Sequence, residues 1–146
     1  MREIVQSIYS IEKISNVYDI IIKLFSDSIS QAHLPRKSRQ ANLVLQVKQY
    51  ITKHYQDSEL KISFIAKNIF VNTQYMCTIF KNETGRTIGS YLQEFRMNKA
   101  KELFDCGQHS ITQVANYVGY EDANYFSKCF KKHFGVTPVI YLTASE

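Results

Sequence analysis

Residues 110–142 read SITQVANYVGYEDANYFSKCFKKHFGVTPVIYL, and the pattern inside them has already occurred once. Ile111, Ala115 and Val118 repeat Ile62, Ala66 and Ile69 at an offset of 49 residues. Tyr125, Phe130, Lys131, Gly135, Thr137 and Tyr141 repeat Tyr75, Phe80, Lys81, Gly85, Thr87 and Tyr91 at an offset of 50. The offset changes by one inside a turn, Phe70-Val71-Asn72 in the first copy and Gly119-Tyr120-Glu121-Asp122 in the second. Self-similarity at a fixed interval marks a supersecondary unit used more than once. The unit is a short helix, a tight turn, a second helix and a glycine stop, which is a helix-turn-helix.

Capping chemistry sets the predicted boundaries. Asn72 or Thr73 can cap the second helix of the first copy, and Asp122 that of the second copy. Gly85 and Gly135 stand where the left-handed residue after a helix belongs. Ser110 with Gln113 forms a capping box, and Thr137-Pro138 supplies a cap and a first-turn proline. Thr87 caps a longer helix, predicted over 88–106, that joins the copies and ends at Gly107. Ala66 and Ala115 are small where the paired helices cross, and Ile69, Val118, Ile79 and Phe80 fill the wedge between them. At 1.5 Å per residue the joining helix is about 28 Å long. Successive major grooves on one side of a duplex lie ~34 Å apart, so such a rod can hold two reading heads near one turn's separation.

Working outward, no stretch sustains the alternation of a β-strand, and the fold class is all-α. Leu43, Val47, Tyr50, Ile51 and Tyr55 form one face of a preceding helix that Asp57 and Ser58 end. Residues 33–42, HLPRKSRQAN, read as a basic linker, with Pro35 as a helix breaker and Arg36, Lys37 and Arg39 as a cationic cluster. A basic linker either lies along phosphates or is simply solvated. Residues 1–32 read as an N-terminal amphipathic helix. Ile4, Ile8, Ile11, Ser15, Tyr18, Ile22 and Phe25 make a heptad-like seam with one polar interruption. The seam predicts either a homodimer through residues 3–29, a remnant of a sensor domain, or a helix packed on its own domain. Residues 43–146 then form the double helix-turn-helix domain.

Length and composition bound the function. The 146 residues are 45% hydrophobic and 21% charged, the profile of one globular domain. No apolar run is long enough for a membrane span, and no secretory leader is visible. Three irregularly spaced cysteines make no disulfide framework, so a reducing cytoplasm fits. The net charge is +5; residues 1–33 contribute −1 and residues 34–146 contribute +6. The positive excess around the repeat suits a phosphate backbone.

The outward residues of the repeat point the same way. The second helix of the first copy exposes Thr73, Gln74, Cys77, Thr78 and Lys81. That of the second copy exposes Ala123, Asn124, Ser127, Lys128, Lys131 and Lys132. Such side chains at the start of an exposed helix reach base edges and phosphates in a major groove. The competing reading is a helical protein–protein interaction module, acting on a partner such as RNA polymerase without reading bases.

Two longer segments carry a family resemblance, YMCTIFKNETGRTIGSYLQEFRMNKAKELF at 75–104 and residues 110–142 quoted above. With the preceding helix, residues 43–142 resemble the DNA-binding domain of the AraC/XylS family of bacterial transcription regulators. The resemblance implies seven helices in two helix-turn-helix subdomains, and sequence-specific promoter binding, usually to activate transcription in the bacterial nucleoid. It implies base contacts from Thr73, Gln74, Cys77, Thr78, Ala123, Asn124, Ser127 and Lys128. Backbone contacts fall to Lys81, Lys131 and Lys132, with Arg36 and Lys37 of the linker. Family members commonly carry Arg where this chain has Thr78, Lys128 and Leu142, so bidentate guanine readers are missing. Arg96 matches the family's linker-helix arginine and is expected to pair with Glu121 or Asp122.

The remaining reactive residues give no rival. Cys106 with His109, and Cys129 with His133, have metal-ligand spacing, yet Cys129 falls at the core position of Ile79. No metal or cofactor is expected. The phosphate-cradling, nucleophile-elbow and zinc-protease motifs are all missing, so no catalytic residue is assigned. Tyr75 and Tyr125 are expected to pack in the core, with phosphate contact as the alternative.

Overall fold

The computed structural model describes residues 21–22, 36–108 and 110–144, and among them the ordered elements are helices. In chain order they are α1 (Arg36–His54), α2 (Ile62–Asn68), α3 (Thr73–Thr84), α4 (Ile88–Asp105), α5 (Ile111–Tyr117), α6 (Ala123–Phe134) and α7 (Pro138–Thr143). One compact unit spans Gln40–Glu146; residues Met1–Arg39 form another, in which Ile21 and Ile22 are helical. The heptad-like seam expected over 3–29 lies almost wholly outside the described residues. None of the described helices is long and apolar enough to cross a membrane.

The linker expected over 33–42 is corrected from Arg36 onward, because residues 36–42 are the first two turns of α1. Proline ends a helix that reaches it from the N-terminal side but is compatible with one that starts beside it. Arg, Lys, Gln and Ala are strong helix formers, so the stretch after Pro35 continues into the amphipathic run. At its other end α1 stops at His54, before Asp57.

The compact unit holds two apolar cores, and α4 serves both. Leu43, Val44, Val47 and Ile51 of α1 bury against Ile65, Ala66, Met76, Ile79 and Phe80, with Ile88 from the start of α4. Met97, Ala100 and Phe104, further along α4, join Val114, Ala115, Val118, Tyr120, Phe126, Cys129 and Phe130. Eighteen residues make α4 about 27 Å long. A helix with both ends embedded in different cores is a stiff spacer, since rotating one end costs packing at the other.

Caps fix where each helix begins. Asn72 Oδ1 accepts from the Gln74 and Tyr75 amides at 2.9 and 3.1 Å. Asp122 Oδ1 repeats this with Asn124 and Tyr125 at 2.7 and 3.2 Å. Thr87, Ser110 and Thr137 cap α4, α5 and α7. Gly85 and Gly135 close α3 and α6 at φ of 75° and 84°.

The two inner turns share one geometry with different residues. The Val71 amide donates to the Ala66 carbonyl at 3.0 Å, and the Tyr120 amide to Ala115 at 2.9 Å. That bond needs a left-handed residue just before it. The second copy supplies Gly119 at φ 85°, whereas the first supplies Phe70 at φ 56°. Phe70 is 90% exposed, so its ring returns little burial energy for the strained backbone. A left-handed L-residue costs roughly 1–2 kcal/mol, and glycine's extra unfolded-state entropy offsets roughly 0.5–1 of that. Phe70→Gly is therefore expected to raise stability by up to about 1 kcal/mol in urea titration; a loss of stability would show that the ring packs.

Candidate nucleic-acid interface

In both α3 and α6 the apolar residues sit at i, i+3 and i+4, and this decides which face is free. Met76, Ile79 and Phe80 are buried in α3; Phe126, Cys129 and Phe130 are buried in α6. At 3.6 residues per turn the remaining positions face outward. Thr73, Gln74, Thr78 and Lys81 are exposed, and Cys77 is half-buried against the first core. In α6, Asn124, Lys128, Lys131 and Lys132 are exposed, while Ala123 and Ser127 are half-buried. Lys37 is exposed in the first turn of α1, where Arg36 also lies.

Hydrogen bonding narrows what these faces can offer. Thr78 Oγ1 donates to the Gln74 carbonyl at 2.9 Å, and Ser127 Oγ to the Ala123 carbonyl at 2.8 Å. The Gln74 and Asn124 side-chain amides have no partner among the described residues. Nor do Lys81, Lys128, Lys131 and Lys132 form an ion pair there; the pairs involve Lys61, Arg86, Lys99 and Lys101 instead. The charges are uneven. Helix α6 holds three lysines and no carboxylate, whereas α3 holds Lys81 and Glu83.

A groove of about 390 Å³ runs beside α3, lined by Ile62, Cys77, Thr78, Lys81, Thr87, Ile88 and Gly89. It brings three predicted contact residues next to the first turn of α4, whose free amides favour anions. Tyr75 and Tyr125, expected in the core, are instead 50% and 58% exposed at equivalent places on the two helices. Each sits one position before the buried stripe, so helical phase could have placed it; aromatic character misled.

Arg96 departs from expectation as well. It is buried and pairs with neither Glu121 nor Asp122. Its Nε donates to the Tyr55 carbonyl at 2.8 Å and its Nη2 to the Asp57 carbonyl at 2.6 Å. The guanidinium stands 5.4 Å from the centre of the Tyr120 ring. Burial pulls its pKa down, and Tyr120 and Asp57 oppose that shift. Glu121 accepts from Ser58 Oγ at 2.8 Å. Arg96 thus fastens the α1–α2 connection to the second helix-turn-helix, a structural rather than a reading role.

Cys129 is buried and His133 is exposed, its ring edge-on to Phe134 at 4.6 Å. Cys106 is exposed; His109, at metal-ligand spacing from it, lies outside the described residues.

Comparison with known proteins is consistent with this geometry. A family model described as a helix-turn-helix domain matches residues 65–144. The Msm operon regulatory protein of Streptococcus mutans is 29% identical over 133 residues, covering 90% of this chain and 47% of that protein. The transcriptional activator RhaR of Yersinia pseudotuberculosis is 33% identical over 122 residues, covering 84% of this chain and 41% of its own length. The chain thus spans under half the length of these relatives. Among solved structures, the C-terminal domain of AraT, a response regulator from Geobacillus stearothermophilus, superposes with a TM-score of 0.68 at 35% identity. That match covers 70% of this chain and 84% of the other.

Proposed function

The chain belongs to the AraC-type family of helix-turn-helix transcription regulators, and from that premise we propose that it binds double-stranded DNA at a specific promoter site and acts there as an activator. Helices α3 and α6 enter successive major grooves, with α4 as the spacer. Thr73, Gln74, Cys77, Thr78, Ala123, Asn124, Ser127 and Lys128 face base edges. Lys81, Lys131 and Lys132 face phosphates, as do Arg36 and Lys37 from the first turn of α1. RNA polymerase is the protein partner, and residues 3–29 supply a homodimer contact. The site of action is the cytoplasm, at the nucleoid.

One observation carries the reading. Two equivalent helices, each capped by an Asx side chain and backed by its own core, leave the Gln74 and Asn124 amides and the lysines of their outward faces without partners among the described residues. The two exposed side-chain amides and the four lysines that form no ion pair among the described residues are donors available to base edges and phosphates. The direct test is binding of the purified chain to sites selected from a random duplex library. Selected duplex is expected to bind at least about a thousandfold tighter than unselected duplex at physiological salt. Equal affinity for both pools would defeat the reading. Sedimentation of the same preparation tests the dimer: a chain that stays monomeric at high concentration removes the role given to residues 3–29.

A further inference from the structure

The two heads are built alike and armed differently, and this difference bears on the site they read. Guanine presents two acceptors, N7 and O6, to the major groove and is read by donors, best by a cation. Adenine presents an acceptor beside a donor and pairs with the two-faced amide of Asn or Gln, while thymine presents a methyl group.

In α3 the only cation on the outward face is Lys81, a full two turns beyond Gln74 and beside the start of α4. The Thr78 hydroxyl proton is committed to the Gln74 carbonyl at 2.9 Å, so Thr78 shows its methyl group and an acceptor oxygen to the groove. Cys77 is a half-buried, weakly polar contact. Thr73 has a single hydroxyl donor to set against guanine's two acceptors. The Gln74 amide is exposed and unpartnered among the described residues. This face suits adenine and thymine.

In α6 the Ser127 proton is likewise committed, to the Ala123 carbonyl at 2.8 Å. Asn124 again offers an exposed amide. One turn on, Lys128 is exposed, has no carboxylate partner among the described residues, and is the single cation at a base-facing position in either head. It carries three donors.

We propose that the operator is asymmetric: Gln74 and Thr78 confine the block under α3 to A·T pairs, and Lys128 beside Asn124 demands one guanine under α6. This rests on the reading of α3 and α6 as base-contacting helices and assigns specificity within it. Orientation on the duplex follows, because the guanine marks the end that α6 occupies.

The experiment is selection from a random duplex library with the full chain and with two variants, Lys128→Gln and Gln74→Ala. The wild type is expected to enrich two blocks about one turn apart, only one containing a fixed guanine. Lys128→Gln is expected to release that guanine alone, with discrimination against adenine at that position falling about ten- to a hundredfold. Gln74→Ala is expected to relax one adenine in the other block and leave the guanine fixed. Two identical blocks, a guanine that survives Lys128→Gln, or a guanine released by Gln74→Ala would each overturn the assignment while leaving site-specific binding intact. Failure of the wild type to enrich any sequence would overturn this inference together with the reading it rests on.

Discussion

Gly119→Ala is expected to lower the stability of the compact unit by about 3–4 kcal/mol, a large share of the 5–15 kcal/mol that holds a typical domain folded. Two separable effects add. The backbone at Gly119 has φ of +85°, which costs an L-residue roughly 1–2 kcal/mol. A Cβ there would also lie 2.7 Å from the Tyr55 carbonyl oxygen and 2.7 Å from Arg96 Nη2. The carbonyl is backbone and cannot rotate away, and it is the acceptor of the Arg96 Nε bond. Relieving the clash means breaking a charge-assisted hydrogen bond worth roughly 1.5–3 kcal/mol and lifting the guanidinium from Tyr120. Gly135→Ala is the control, because it shares the positive φ while a Cβ there meets nothing within 4 Å. It should lose only the strain, about 1–2 kcal/mol. Urea titration of the two variants measures the difference; equal losses would mean that the Arg96 joint contributes nothing and that strain accounts for both.

That joint also shows where sequence reading runs out. Caps and stops were legible because they are local: Asn72, Thr87, Ser110, Asp122 and Thr137 each bond an amide two or three residues on. The outward faces of α3 and α6 were legible because the buried sets Met76-Ile79-Phe80 and Phe126-Cys129-Phe130 fix the helical phase. Arg96 was legible as special but not in its partners. A carboxylate announces itself in a sequence, whereas the carbonyls of Tyr55 and Asp57 are groups that every residue carries. Phe70 had no local signal either, since its left-handed backbone is set by the turn between two packed helices and not by its side chain. The helical start at Arg36 was hidden by giving Pro35 one meaning where it has two. What stayed unread was either made of backbone or dictated by distant packing.

Neutralising Lys131 and Lys132 together is expected to weaken binding to specific and unrelated duplexes alike, on the order of ten- to a hundredfold at moderate salt. The slope of log affinity against log salt is expected to flatten by about 1.8, since each lost phosphate contact removes roughly 0.9. The slope matters more than the affinity because these lysines have a second role open to them. They lie with His133 in the last turn of α6, where positive charge complements the helix dipole by roughly 0.3–1 kcal/mol each. A double alanine variant can therefore bind less simply because α6 frays. Fraying removes binding-competent protein without changing how many counterions each binding event releases. A fall in affinity with an unchanged slope would assign the lysines to the helix, and no change in either would leave them as solvated charges. Lys81→Ala provides the comparison across the repeat. It has the same register in α3 but is the only lysine on that helix, so its slope change should be about half that of the pair, near 0.9. If the heads grip the backbone as the repeat implies, the three losses add in slope, because each contact displaces its own counterions wherever it lies along the groove.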